Sequence, residues 1–194
     1  TDSMEKLIII DSCMREESRT RVILDAAREV LSARYEVETI DVNALALPPL
    51  TPAGLKARNA GVVPQEALSV AGRIALADRL VIAAPFWDMS FPAVLKAFFE
   101  NMSLYNVTFT DDGSTCSGLC KCRKVLYITT RGMDIPTGDF RDQGSSYLKA
   151  LSSLWGLGEV ITVAAWNLDY MPLEKVNEKL EEMARFARQI AAGF

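Results

Sequence analysis

RLVIAAPFWDMSFPAVLKAFFEN, Arg79–Asn101, is the stretch on which the fold turns. Its first six residues, Arg79–Ala84, form an apolar run with no alternation, the pattern of a strand covered on both faces. Pro92 suits a first helical turn, and Val94, Leu95, Phe98 and Phe99 then recur at helical spacing. Strand, loop and helix in that order make half of a βαβ unit. The same alternation runs outward in both directions. Upstream, Lys6–Ile10 (KLIII) reads as a buried strand, and Tyr35–Asp41 (YEVETID) alternates, as a strand nearer an edge does. Downstream, Lys124–Thr129 (KVLYIT) and Glu159–Ala164 (EVITVA) are further buried strands. Helical stripes lie between them. Val22, Ile23, Ala26, Val30 and Leu31 follow Ser18, a suitable N-cap; Leu68, Ile74, Leu76 and Ala77 form a second stripe. Tyr147, Leu148, Leu151 and Leu154 form another, and Leu173, Val176, Leu180, Met183, Ala187 and Ile190 span almost five turns. Five β-α pairs in series predict an α/β fold: an open, doubly wound parallel sheet with helices on both faces.

With 194 residues the chain is long enough for one domain, 1–194, with a sizeable core, and short for two. Thr1–Ser3 precede Met4 and are set aside as a remnant. A formal net charge of −4 argues against nucleic acid, whose phosphates need clustered Lys and Arg. The chain has no His. Imidazole bases, Ser-His or Cys-His couples and His-based metal sites are therefore excluded. Chemistry must come from other side chains, backbone donors or a borrowed cofactor, and cofactors supply the reactivity that side chains lack. No stretch has the ~18–20 uninterrupted apolar residues of a membrane span. There is no basic start and apolar run of a signal peptide, so the expected compartment is cytoplasmic. Two irregular stretches stand apart. Asn43–Pro64, with Pro48, Pro49, Pro52, Gly54 and Gly61, is long enough to be a lid, a binding loop or an interface element. Val107–Cys122, turning at Asp111-Asp112-Gly113, reads as an inserted β-hairpin.

In doubly wound sheets ligands bind beyond the carboxyl ends of the strands, where the strand order reverses. Three loops reach that edge. Asp11–Thr20 (DSCMREESRT) has neither GxGxxG nor GKS/T, which argues against a dinucleotide fingerprint or a P-loop. It offers hydroxyls at Ser12, Ser18 and Thr20 beside the amides of a helix N-terminus. That combination suits a phosphate monoester, although simple N-capping by Ser18 explains it equally well. Glu16 and Glu17 oppose phosphate unless both face solvent. Ala84–Pro92 (APFWDMSFP) places an aromatic pair where something flat could cover it, or where it plugs the space under the next helix. Thr129–Met133 (TTRGM) adds donors at Thr130 and Arg131 and a close backbone approach at Gly132.

Together, SRT at Ser18–Thr20, PFWDMSFP at Pro85–Pro92 with VLKAFFEN after it, VTFTDDG at Val107–Gly113 and TTRGM at Thr129–Met133 resemble the flavodoxin-like FMN-dependent NAD(P)H quinone reductases and azoreductases. The resemblance covers almost the whole chain. It implies a flavodoxin-like five-stranded sheet of order 2-1-3-4-5 and FMN as cofactor, with NAD(P)H as co-substrate. It implies that Ser12, Ser18 and Thr20 contact the FMN phosphate with Arg19 nearby. Pro85, Phe86, Trp87, Asp88 and Met89 would line the ring and ribityl chain, and Thr130, Arg131 and Gly132 would face the ring from the opposite loop. It further implies a homodimer in which Phe109 and the hairpin reach towards the partner's flavin. A small quinone-like, azo or nitro acceptor would take two electrons in a ping-pong cycle. No side chain needs to be catalytic, because the chemistry resides on the flavin. Some relatives place a His after the TRG-type loop; Asp134 and Ile135 stand here, which puts a dedicated acid in doubt.

Cys116, Cys120 and Cys122 need a fourth ligand before they hold a metal, so no metal is expected. On a strand, Cys120 and Cys122 would share one face; inert thiols are the default and a disulfide the second choice. Cys13, beside a helix N-terminus, could be a reactive thiol, although such a Cys is more often a small packing residue. Two other functions fit the fold: a single-electron carrier, and a flavin-free interaction protein.

Overall fold

The computed structural model describes residues 3–194; Thr1 and Asp2 lie outside the described residues. Five strands, β1 (Lys6–Asp11), β2 (Glu36–Asp41), β3 (Arg79–Pro85), β6 (Lys124–Thr130) and β7 (Glu159–Ala165), form one sheet in the order β2-β1-β3-β6-β7. Every neighbouring pair is parallel. In order along the chain this is the expected 2-1-3-4-5. The register brings the strand ends level: Asp11 lies opposite Ala83, Pro85 opposite Thr130 and Thr130 opposite Ala165. The loops that follow β1, β3, β6 and β7 therefore emerge at one edge, and the order reverses between β1 and β3.

Helices α1 (Arg19–Leu31) and α7 (Leu173–Ala192) cover one face; α4 (Gln65–Leu76), α5 (Ala93–Met102) and α6 (Gln143–Trp155) cover the other. Strand residues divide by parity, as pleating requires. Leu7, Ile9, Val81, Leu126 and Ile128 pack towards α1 and α7, whereas Ile8, Ile10, Leu80, Ile82 and Val125 pack towards α4, α5 and α6. All are buried, each contributing about 1.5–3 kcal/mol of transfer free energy.

Some expected stripes shift in phase. Ile74 and Ala77 are buried as expected, but Leu68 and Leu76 face solvent, and α4 buries Ala67, Val70 and Ala71 in their place. Alanines let the helix approach the sheet closely, so position on the face outranks side-chain size. Val22 and Leu173 are likewise exposed. The stretch Asn43–Pro64 is not wholly irregular, since it holds most of α2 (Val42–Leu45) and all of α3 (Pro52–Asn59). Asp41 caps α2 by accepting from the amides of Asn43 and Ala44 at 3.0 and 3.1 Å, and Thr51 caps α3 ahead of Pro52. The segment is tied to α5 by Asn101 Nδ2 donating to the Pro48 carbonyl at 2.9 Å and Arg58 donating to the Glu100 carbonyl at 3.1 Å.

The inserted hairpin is present, with β4 (Phe109–Asp111) antiparallel to β5 (Cys116–Gly118). Its base docks on the domain while residues 111–119 are exposed. Phe109 is buried beside Tyr105, with ring centroids 4.8 Å apart, so it is not a tip residue reaching outward. A methyl group on Gly118 would lie 2.2 Å from the amide nitrogen of Gly156, the left-handed C-cap of α6, which is how closely the hairpin docks. Residues 119–123 are not a strand, so Cys120 and Cys122 share no strand face. All four thiols are free, and among the described residues no three His, Cys, Asp or Glu are arranged to hold a metal ion. Nor is any described helix long and apolar enough to cross a membrane.

Candidate functional site

At the carboxyl edge the loop after β1 turns sharply because Asp11 accepts from the Cys13 amide at 2.9 Å. Ser12 points back into the sheet: its amide and hydroxyl both donate to the Ala83 carbonyl, at 2.9 and 3.0 Å. Fully buried, it leaves the expected phosphate set, because its donors close β1 onto β3. Of the two readings of Cys13, the structure favours the packing one, since the residue is buried in the core. Burial, with the charge of Asp11 next, pushes its thiol up to about 12, so the nearby helix does not make it reactive.

Ser18 is the N-cap of α1, accepting from the Arg21 amide at 3.1 Å. The amides of Arg19 and Thr20 have no acceptor among the described residues, as expected for a first helical turn. They point out of the positive end of a helix of 13 residues. Glu16 and Glu17 are exposed and lie outside the cleft wall, which removes their objection to an anion. Thr20 and Thr130 share a hydrogen bond at 2.7 Å between their buried hydroxyls, tying α1 to the end of β6.

A cleft open to solvent lies over these groups. Ser18, Arg19 and Thr20 form part of its wall; Pro85, Phe86, Trp87, Thr130 and Gly132 form the rest of the expected lining. Trp87 is exposed and held by reciprocal backbone hydrogen bonds with Ser90, at 3.1 and 2.9 Å. The two residues between them, Asp88 and Met89, have φ of 50° and 69°, a turn with both central residues left-handed. Asp88 and Met89 form the rim beyond Trp87 and are not part of the wall.

Arg131 does not face the cleft. Its side chain is fully buried, with its guanidinium carbon 4.8 Å from the Phe86 ring centroid, Nη1 donating to the Ile135 carbonyl at 2.8 Å and Nη2 3.1 Å from Asp142 Oδ2. It supports the Phe86 loop from beneath. Asp142 also caps α6 by accepting from the amides of Gly144 and Ser145. Burial opposes the charge of Asp142, but the Ser145 hydrogen bonds and the Arg131 cation outweigh it and hold the carboxyl below the usual range.

A family model described as Flavodoxin-like fold matches residues 4–190. The chain belongs to that flavodoxin-like family. An FMN-dependent NADH:quinone oxidoreductase of Clostridium perfringens is 35% identical over 127 residues, 66% of this chain and 63% of the relative. The match thus spans less than two-thirds of such relatives' length. An azoreductase from Bacillus anthracis superposes with a TM-score of 0.80 at 20% identity, covering 98% of this chain and all of that one. An FMN-dependent NADH-azoreductase from the same species, solved in complex with FMN, gives 0.78 at 21%, covering 97% of this chain and all of that one. At these identities the likeness is one of fold.

Three wall residues of this flavodoxin-like chain carried no mark in its sequence: Met14, Arg15 and Asp169. Met14 and Arg15 belong to the same loop as Ser18 and follow from it. Asp169 comes from the short 3-10 turn after β7, Leu168–Tyr170, and pairs with Arg19 at 2.9 Å across 150 residues of chain. No local pattern announces such a meeting.

Proposed function

We propose that the protein is an FMN-dependent NAD(P)H oxidoreductase that passes two electrons to quinone-like, azo or nitro acceptors in a ping-pong cycle. The observation that carries this reading is the division of one cleft into an anion end and a flat end. The anion end is the first turn of α1, with the free amides of Arg19 and Thr20 and the hydroxyls of Ser18 and Thr20. The flat end is Phe86 and Trp87, an apolar surface that a planar ring would cover. A phosphorylated planar cofactor fits both. The named activity of the quinone oxidoreductase relatives, and FMN in the Bacillus anthracis azoreductase, support the same reading.

FMN, when bound, supplies the hydride and electron chemistry that this His-free chain lacks. The chain's own residues bind and orient. Ser18, Arg19 and Thr20 hold the phosphate; Pro85 to Trp87 seat the ring on one side, and Thr130 with the backbone at Gly132 bound it on the other. Arg131 acts at one remove, fixing the Phe86 ring and the β6 loop. Asp134 is exposed and Ile135 buried, so neither offers a positioned acid, and protons would come from solvent or from the reduced cofactor itself. Two copies of the chain would close the open side of the cleft, and the compartment would be the cytoplasm.

The test is a visible spectrum of the purified protein, followed by anaerobic NADH or NADPH. Flavin bands that bleach in one two-electron step support the proposal. Reduction in two separate one-electron steps would point to a carrier, and failure to bind added FMN would overturn the flavin reading.

A further inference from the structure

We propose that Asp169 is a specificity-determining residue that competes with the phosphate of the bound flavin for Arg19, and so sets how strongly the cleft prefers phosphorylated flavins over unphosphorylated ones. The inference rests on the flavin reading above and adds a residue that the sequence did not mark.

Three observations meet at this carboxylate. Its Oδ1 accepts from Arg19 Nη1 at 2.9 Å, and both residues line the cleft, so the guanidinium nearest the free α1 amides already has an anion on it. A methyl group placed on Gly132 would lie 1.8 Å from Asp169 Oδ2, so the carboxylate rests on the glycine where close approach to the ring was expected. The backbone beneath is fixed: the amides of Asn167, Leu168 and Asp169 donate to the carbonyls of Met133, Arg131 and Gly132 at 2.8, 3.2 and 3.1 Å. Only the side chain is free to move. The two side chains are 35% and 65% exposed, so their ion pair is weak and parts readily.

A phosphate monoester arriving at the α1 N-terminus takes over Arg19 and meets a negative charge nearby. The carboxylate turns outward, uncovering Gly132 as it does. Cofactor binding and clearance of the ring side are thereby one exchange. A flavin without phosphate gains nothing from Arg19 and feels no such repulsion.

The test titrates wild-type apoprotein and Asp169→Asn with FMN and with riboflavin, following flavin fluorescence, and with inorganic phosphate, following thermal stabilisation. Asp169→Asn is expected to tighten FMN about three- to tenfold and to leave riboflavin within about twofold, because only a charge–charge interaction is removed. Phosphate should stabilise the variant at lower concentrations than wild type. Equal changes for FMN and riboflavin, or a weaker FMN complex, would overturn the proposal and leave Asp169 a structural tether. If neither protein binds either flavin, the flavin reading fails, and the phosphate arm alone still decides whether Asp169 guards the anion site.

Discussion

Replacing Asp142 by Ala would strand a buried charge. Asp142 and Arg131 have no exposed side-chain surface, and the ion pair at 3.1 Å is the cation's one carboxylate contact among the described residues. Arg131 Nε and Nη2 already lack a hydrogen-bond acceptor of good geometry, so only the Ile135 carbonyl and the Phe86 ring would remain, and neither supplies a countercharge. Breaking such a pair from one side costs about 3–5 kcal/mol. Loss of the cap on the Gly144 and Ser145 amides adds about 1 kcal/mol, partly overlapping. With a urea slope of about 2 kcal/mol/M, the midpoint should fall by about 1.5–2.5 M at pH 7. Arg131→Met should cost less, since Asp142 keeps the donors of Gly138, Gly144 and Ser145. The double variant should be more stable than the sum of the two losses predicts. A midpoint shift below about 0.5 M, or strict additivity, would refute this account of the pair. The pH dependence follows from the depressed carboxyl of Asp142. A carboxyl lower in the folded than in the unfolded state stabilises above about pH 4 and loses that contribution as pH falls through its folded value. Asp142→Asn should therefore flatten the acid limb of stability below about pH 4.

Trp87→Ala should weaken FMN about tenfold and alter its visible spectrum while changing stability by less than about 0.5 kcal/mol, because the ring is exposed; unchanged affinity and spectrum would remove Trp87 from the site. Met89→Gly should raise Tm by about 1–3 °C, since a left-handed Met costs about 1–2 kcal/mol, part of which glycine's chain entropy takes back. A lower Tm would mean that Met89 packing outweighs its backbone strain. A thiol reagent at pH 8 should modify Cys116 alone in the native protein and all four thiols in denaturant. Burial pushes Cys13 and Cys120 up to about 12 and Cys122 up to about 11, so more than one rapid native equivalent would contradict that ranking.

The sheet was legible because its information is local. Apolar runs such as Lys6–Ile10 and Arg79–Ala84 must be buried on both faces, and Pro92 and Ser18 mark where helices begin. Residues at the carboxyl ends of strands and in the loops that lead into the next helix were legible for the same reason, and eight of them line the cleft: Ser18, Arg19, Thr20, Pro85, Phe86, Trp87, Thr130 and Gly132. What failed was the direction of side chains. Ser12 and Arg131 lie in the right loops, but Ser12 closes the sheet and Arg131 pairs with Asp142, eleven residues on, so both turn away from the cleft. Asp169 escaped because its partner is 150 residues distant. The helices at Val42–Leu45 and Pro52–Asn59 were hidden by their prolines, although Asp41 and Thr51-Pro52 are start signals in plain view.

The two edges of the sheet are treated differently, and the difference bears on the proposed function without reference to any relative. At the amino edge polar groups are answered. Asp78 accepts from the Lys6 amide at 2.8 Å and pairs with Lys121 at 2.9 Å, and Glu5 faces both Arg79 and Arg123. Towards the carboxyl edge some are not. Among the described residues, four of the five buried side-chain nitrogen and oxygen atoms without a hydrogen bond belong to Tyr127, Thr129 and Arg131, alternate residues in a row along β6 and just past its end, although Arg131 keeps its ion pair with Asp142. Among the described residues, four of the five non-glycine residues with positive φ, Ala46, Asp88, Met89 and Asn167, follow the carboxyl ends of strands. Random imperfection would spread over both edges. Each such feature costs of order 1–3 kcal/mol and persists only where the surroundings enforce it. Local rules broken repeatedly at one edge, in a fold that obeys them elsewhere, support the proposal that this edge is arranged for a ligand as well as for its own stability.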